Sequence, residues 1–545
     1  MNNKTKIINV KKNNPHNNYK VKKKELPLIV NIFKNISIKN DKILIKSLCL
    51  TKVLGHKKYN LSKFKIIIND KSYNIQFKLR DGIAIIKKYR MNYYTIELPI
   101  NEVEKFDIQN KVQIKYKNLP LGRIIYSAWD LTKGKNKFSK VLTKDNKSFF
   151  IRQTKNNTMY LTVRKNNKYD FKYYNVKLKL GYILSKIMFK KNIILLFEKE
   201  ASRYEESASV LYEKLIDLGH KNVFYIIDKD NKKLKEIKEK YKKNLIYRDS
   251  LKHIVYFFKC NKFIGTESLH HALQLRIASK IVIDKINNKN LSYIFLQHGV
   301  MYMVSLNSDL RTGFRKMPIK MHKVVVSSEL EAQHFIKFGG FKKEDLYICG
   351  LPKFDKAKRH DNADKIVIML TWRRWEANQA STDYKSTKYY KMIKRIASAI
   401  PEKLKNKVVI LPHPLMLKEI KNSERYVLNE EIVYDDVLKD CKLLITDYSS
   451  IAYDAYYRGS NVIFYWEEKD ECIKKYGESA TLLLNEKNTF ADICYSIEDL
   501  CKMIEKNYNK EQTEENKNKF KKIVSFTDNK NTERLIEMLE KDKII

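Results

Sequence analysis

The sequence predicts an α/β protein: two doubly wound parallel-sheet domains in tandem, preceded by a β-rich domain. Three observations predict it. At 545 residues the chain is too long for one hydrophobic core and suggests about three domains. From residue 181 onward, continuous apolar runs of strand length alternate with segments of helical periodicity, the pattern of a parallel sheet with crossover helices. Between residues 27 and 180, short and often alternating runs are separated by Asn, Asp and Lys turns instead.

Residues 1–26 read as a basic, disordered arm, with eight lysines and no acid in the first 24. Its composition allows either a solvated tail or a tether to an anionic surface. Residues 27–180 follow as a β-rich accessory domain, with strands expected at 43–49, 65–68, 73–77, 94–98, 112–116, 148–152 and 159–164 in an antiparallel sandwich or barrel-like module. Residues 181–360 read as the first Rossmann-like domain. Its strands fall at 193–197, 223–227, 245–247, 262–265, 293–296, 323–326 and 346–349, with helices at 209–218, 232–241 and 251–258. Residues 361–545 read as the second, with strands at 365–370, 407–411, 432–433, 442–445 and 462–465. A charged helical stretch at 502–522 and a last helix capped by Thr532 complete it.

Composition narrows the partners. The chain has 109 basic and 62 acidic residues, a net charge of +47, which favours polyanions or an anionic membrane face. No module interleaves aromatic and basic residues for bases to stack on, so nucleic acid is not expected. Seven scattered cysteines without a CxxC pair fit a reduced compartment and no zinc site. No apolar run approaches the roughly 20 residues of a membrane span.

The residues able to do chemistry follow predicted strands, at the sheet edge where open α/β folds bind ligands. His298, followed by Gly299, suits proton abstraction from an alcohol near neutrality, or alternatively a capping role. His413 lies between Pro412 and Pro414, which fix its backbone; it suits diphosphate binding, proton transfer or a plain turn. Thr371-Trp372-Arg373 offers a guanidinium to a phosphate and an indole to a base, or packing and surface charge. In 442–465, the hydroxyl-rich turn Thr446-Asp447-Tyr448-Ser449-Ser450 joins a strand to a short helix, an anion-ready turn or ordinary capping. His270-His271 form no metal pair, since adjacent residues diverge on a helix.

In order, His298, Gly350-Leu351-Pro352-Lys353, Thr371-Trp372-Arg373, Pro412-His413-Pro414 and the Thr446–Ser450 turn resemble the CDP-glycerol glycerophosphotransferase family, the teichoic-acid primases and polymerases including the ribitol-phosphate enzymes. The resemblance spans about residues 193–539. It implies a GT-B-like arrangement that binds a CDP-alditol on the second domain, with no metal and no other cofactor. His298 matches the family's general base and His413 the histidine that engages the donor diphosphate. Arg373, Thr446, Ser449, Ser450, Asp447 and Asp454 fall in donor-side motifs. Two departures stand out: Leu370 where the family has proline, and Lys353 where it has arginine.

The function expected is transfer of glycerol phosphate or ribitol phosphate from its CDP ester to a hydroxyl of a lipid-linked wall or capsule polymer, releasing CMP. The expected location is the cytoplasmic, inner face of the cell membrane. Two other readings fit the same architecture: a nucleotide-sugar glycosyltransferase, and a non-catalytic polymer- or membrane-binding scaffold.

Overall fold

The computed structural model describes residues 30–52, 63–69, 71–78, 89–106, 109–116, 119–121, 124–125, 137–153, 159–189, 192–273, 279–306, 321–376, 379–380, 383–411, 433–477 and 480–545. The basic arm at 1–26 and His413 lie outside them. The described residues divide into two compact units, one drawn from Met1–Lys177 and Arg276–Val282, the other from Leu178–Leu275 and Ile283–Ile545.

The first unit is a 12-stranded sheet. Its pairings are antiparallel apart from the short contact of Asn31 and Ile32 with Ile124 and Ile125. Alternation sets its faces: Phe64, Ile66 and Ile68 point inward while Lys65 is exposed. Two-residue hairpins fix the register. Asn40-Asp41 and Asp145-Asn146 take positive φ, as the twist of a tight hairpin requires, and both turns use side chains that tolerate it. One core gathers Ile36, Ile45, Ile96, Ile114, Ile151 and Leu161 from across the sheet. The antiparallel, β-rich character read from the sequence is present.

The second unit holds two parallel sheets. The larger has seven strands in the spatial order Leu245–Tyr247, Val223–Ile227, Ile194–Phe197, Lys262–Gly265, Ser292–Phe295, Lys323–Val326, Leu346–Ile348. The chain starts in the middle, winds outward one way and then the other, which is the doubly wound topology. Every residue of Ile194–Phe197 and Val223–Ile227 is buried, as expected for strands covered on both faces. The smaller sheet runs Val408–Ile410, Lys365–Met369, Cys441–Thr446, Asn461–Tyr465, Asp492–Cys494. One continuous core joins Leu196, Tyr225 and Val325 beside the first sheet to Val367, Leu444 and Phe464 beside the second. This is the pair of Rossmann-like sheets in a GT-B-like arrangement that the sequence predicted.

Three elements differ from expectation. Val433 is the N-cap of a helix, Tyr434–Lys439, and not part of a strand; Ile432 lies outside the described residues. Asp435 and Asp436 in the first turn pair with Lys439, a helical spacing that outweighs the β-branched start. The charged stretch at 502–522 divides into two helices, Ile497–Tyr508 and Glu514–Ile523, each with its own hydroxyl cap, Ser496 and Thr513. The last helix, Asn531–Lys541, has Lys530 as N-cap, while the Thr532 hydroxyl and amide donate to Asp355 Oδ2 at 2.6 and 2.7 Å. That helix leaves the smaller sheet and packs against helix Ser207–Asp217 of the larger, where Lys214 meets Glu533 at 3.0 Å.

Candidate active site

His298 follows strand Ser292–Phe295, and its presentation is built by the residues around it. Gln297 is fully buried, donates its side-chain amide to Val325 O at 2.6 Å, and holds a φ of 59°. A non-glycine residue in the left-handed region costs about 1–3 kcal/mol and persists only where its surroundings enforce it. The result is a sharp turn that leaves the His298 side chain exposed while Gln297 and Gly299 are buried. Gly299 marks a close approach: a Cβ there would sit 2.9 Å from Ser450 Oγ, which would have to turn aside. The loop of His298 therefore lies directly against the Thr446–Ser450 turn.

Buried carboxylates and cross-links fix the rest of that loop. Glu331 accepts the amide N–H groups of Met301 at 2.7 Å and Ser327 at 2.6 Å. Burial pushes its carboxyl up to about 7. Although the loop belongs to the larger sheet by sequence, it is stitched to residues that connect strands of the smaller one. Val304 pairs with Leu482 in a β-bridge, flanked by Ser305 N–H to Thr481 O at 2.9 Å and Leu483 N–H to Met303 O at 2.8 Å. The Tyr453 hydroxyl donates to Tyr302 O.

The donor-side residues separate into two groups. Arg373, Thr446 and Asp447 are buried. Arg373 donates to Asp447 Oδ2 at 2.8 Å, and their side chains are 2% and 1% exposed. Burial alone would lower the Arg373 pKa, but Asp447 beside it carries it above the ordinary guanidinium value. Asp447 Oδ1 accepts the Thr371 amide at 2.8 Å and its hydroxyl at 2.7 Å, and Trp466 Nε1 donates to Asp447 O at 3.1 Å. Thr446 donates its hydroxyl to Met369 O at 2.6 Å. These three residues tie the turn to the sheet; the sequence expectation places them in donor-side motifs. The cause is topological: strands Lys365–Met369 and Cys441–Thr446 are hydrogen-bonded neighbours, so a charge at the start of one loop meets its counter-charge at the start of the other.

Ser449, Ser450 and Asp454 form the second group. With His298 and Lys353 they line a cleft of about 960 Å³ at the carboxyl ends of the two sheets. Ser449 Oγ also accepts the Ile451 amide at 3.4 Å, a long capping contact. Among the described residues, lysines and arginines line the cleft in near-equal number with carboxylates.

Several lining residues escaped the sequence reading. Glu206, Arg203 and Tyr434 are among them. Arg203 lies over the Tyr434 ring at 5.3 Å and donates to Glu205 at 2.7 Å. Glu206 sits beside Glu198, which is fully buried and accepts the amides of Glu205, Glu206 and Ser209 at 2.8–2.9 Å. Burial and then Glu198 raise the Glu206 pKa. The signal was present: the run from Glu198 to Glu206 is rich in charge and follows the central strand Ile194–Phe197 directly.

Comparison with known proteins places the chain in a family. A family model described as CDP-Glycerol:Poly(glycerophosphate) glycerophosphotransferase matches residues 180–541. Minor teichoic acid biosynthesis protein GgaB of Bacillus subtilis (strain 168) is 25% identical over 303 residues, 52% of this chain and 33% of that protein, so the match spans about a third of the relative. The solved structure of the wall teichoic acid polymerase TagF aligns at 17% identity and a TM-score of 0.49, over 68% of this chain and 93% of that one. A structure of a TagF variant soaked with CDPG aligns at 16% identity and a TM-score of 0.47, over 68% and 98%. With well over half of its residues inside that one model, the chain belongs to the CDP-glycerol:poly(glycerophosphate) glycerophosphotransferase family.

Proposed function

We propose that the protein transfers an alditol phosphate, glycerol phosphate first among the candidates, from a CDP-alditol to a hydroxyl of a membrane-linked wall or capsule polymer. The observation that carries this reading is the juxtaposition of the His298 loop with the Ser449-Ser450 turn, so close that a Cβ on Gly299 would lie 2.9 Å from Ser450 Oγ. A proton acceptor and a hydroxyl-lined turn then share one cleft, and membership of the family supplies the donor class.

In this reading the acceptor oxygen attacks the β-phosphorus, which carries the alditol. The new O–P bond forms as the bond to the bridging oxygen breaks, and CMP leaves with that electron pair. His298 takes the hydroxyl proton. Ser449 and Ser450, with Asp454 beside them, line the diphosphate site, and the two hydroxyls stabilise its charge. His413 contributes to the diphosphate site on the strength of the resemblance alone. Phosphoryl transfer depends mainly on alignment and charge stabilisation, which a cleft of this kind supplies. Arg373, Thr446 and Asp447 act by holding the turn.

The acceptor is bound at an anionic membrane face. No helix among the described residues is long and apolar enough to cross a membrane. The face of helix Lys172–Ile187 bearing Leu180, Ile183 and Ile187 is exposed, and Phe189 just beyond it is 97% exposed. Lys179 and Lys186 flank that face, the combination that seats a helix in a headgroup region.

The test is a donor panel. Purified protein with a short lipid-linked acceptor should release CMP from CDP-glycerol or CDP-ribitol and no UDP from UDP-sugars. UDP release with no CMP would replace this reading by a glycosyltransferase, and no nucleotide release at all would point to a scaffold.

A further inference from the structure

We infer that Lys353 is a positioning residue that couples the His298 loop to the donor-side helix Ile451–Tyr457. The inference rests on the transfer reading above for its kinetic consequence, but its structural content is independent of that reading.

Lys353 stands in a short helical segment, Pro352–Lys356, that links the two sheets. The segment is anchored on all sides. Phe354 stacks on Tyr457 with centroids 4.3 Å apart and planes 12° apart. Asp355 accepts the amides of Asn531 and Thr532 at 2.9 and 2.7 Å, fastening the segment to the last helix. Gly350, just before it, has a φ of 83°, and a Cβ there would collide with the Asn531 side-chain amide, so the chain enters the segment by a turn that favours glycine.

From this fixed base the Lys353 ammonium reaches both halves of the cleft. It donates to the backbone carbonyl of His298 at 3.0 Å and pairs with Asp454 Oδ1 at 2.5 Å. Both side chains are largely buried, Lys353 at 11% and Asp454 at 12% exposed, so the pair is screened far less than a surface pair. Among the described residues, the other cation paired with Asp454 is Arg458, whose Nη1 lies 4.0 Å away while its Nη2 pairs with Asp435 at 2.6 Å. Lys353 is therefore the closer partner of Asp454.

The geometry suits lysine. One acceptor is a carbonyl and the other a single carboxylate oxygen, which an ammonium with divergent donors can serve together. Arginine, the family's usual residue here, would offer a planar fork, and it keeps the charge and the reach. The bond to His298 O acts on the peptide that carries the general base. Losing it frees that peptide relative to Ser449 and Ser450, and misplacement by about 1 Å costs on the order of 100-fold in rate.

The experiment combines kinetics with hydrogen exchange on Lys353→Met, Lys353→Arg, Asp454→Asn and the Lys353→Met/Asp454→Asn double variant. Lys353→Met should lower kcat for CMP release about 100-fold while KM for CDP-glycerol stays within about threefold. Amides of the peptide covering 297–303 should exchange at least about tenfold faster, with the rest of the chain unchanged. Lys353→Arg should recover most of the rate, and the double variant should be no slower than the worse single. A rise in KM with kcat unchanged would make Lys353 a donor-binding cation and overturn the proposal. Fully additive losses, or loop exchange unaltered in both single variants, would also overturn it. If Lys353→Met is globally destabilised, Asp454→Asn and Lys353→Arg decide by the same exchange readout. If the wild type releases no CMP, the transfer reading fails, and the exchange data still decide whether Lys353 tethers the loop.

Discussion

At the scale of single residues, His298 and Arg373 make opposite predictions. His298 is exposed in the cleft, so His298→Ala should lower turnover by about 100- to 10,000-fold, the range for losing a general base, with CDP-glycerol affinity changed less than threefold by calorimetry. Arg373 is buried against Asp447, so Arg373→Ala should cost about 3–5 kcal/mol in chemical denaturation, because it strands a buried carboxylate. A stable Arg373→Ala protein with only a raised KM would return that side chain to the donor. Glu331 gives a pH signature. Its folded-state pKa, raised to about 7, exceeds the usual carboxyl value of 4.5. Between those values the unfolded chain has lost this proton while the folded chain keeps it, so this contribution to stability is intact below about pH 4.5 and falls as pH rises to about 7. Melting temperature against pH should be flatter over that window in Glu331→Gln than in the wild type; identical slopes would contradict the assignment.

At the scale of elements, the close approach of the His298 loop to the Ser449-Ser450 turn is decisive. Gly299→Ala would put a methyl 2.9 Å from Ser450 Oγ, so it should reduce kcat by tenfold or more, and pairing it with Ser450→Ala should recover part of the loss. The unit 442–465 was legible because local signals agreed: an apolar strand, a hydroxyl-rich turn and a short helix followed by Gly459. The structure has Cys441–Thr446, Ile451–Tyr457 and Asn461–Tyr465 there. Elements set by distant partners were not legible. Thr532 has the residue type of a cap, yet Asp355, far away in sequence, claims its hydroxyl. Arg373 has the residue type of a phosphate ligand, and only the neighbouring of two parallel strands shows that Asp447 is paired with it. Lys353 stood out as a departure from a motif, whereas its bridge between His298 and Asp454 requires the fold.

At the scale of the whole molecule, the net charge of +47 contrasts with the described cleft lining, where cations and carboxylates are near balance, and the surplus is expected to serve an anionic surface. Binding to anionic vesicles should weaken steeply as salt rises from about 0.05 to 0.5 M, as the Debye length contracts, and vanish on neutral vesicles. Replacing Ile183 and Ile187 by Asp should weaken it further at fixed salt. The central claim is that one cleft joins a proton acceptor on the His298 loop to a donor held at the Ser449-Ser450 turn. Its most direct test is phosphorus NMR of purified protein with CDP-glycerol and a short lipid-linked acceptor. The account predicts a new phosphodiester signal growing in step with CMP for the wild type, and neither for a His298→Ala protein that still binds CDP-glycerol. Phosphodiester formation at the wild-type rate by His298→Ala would contradict it.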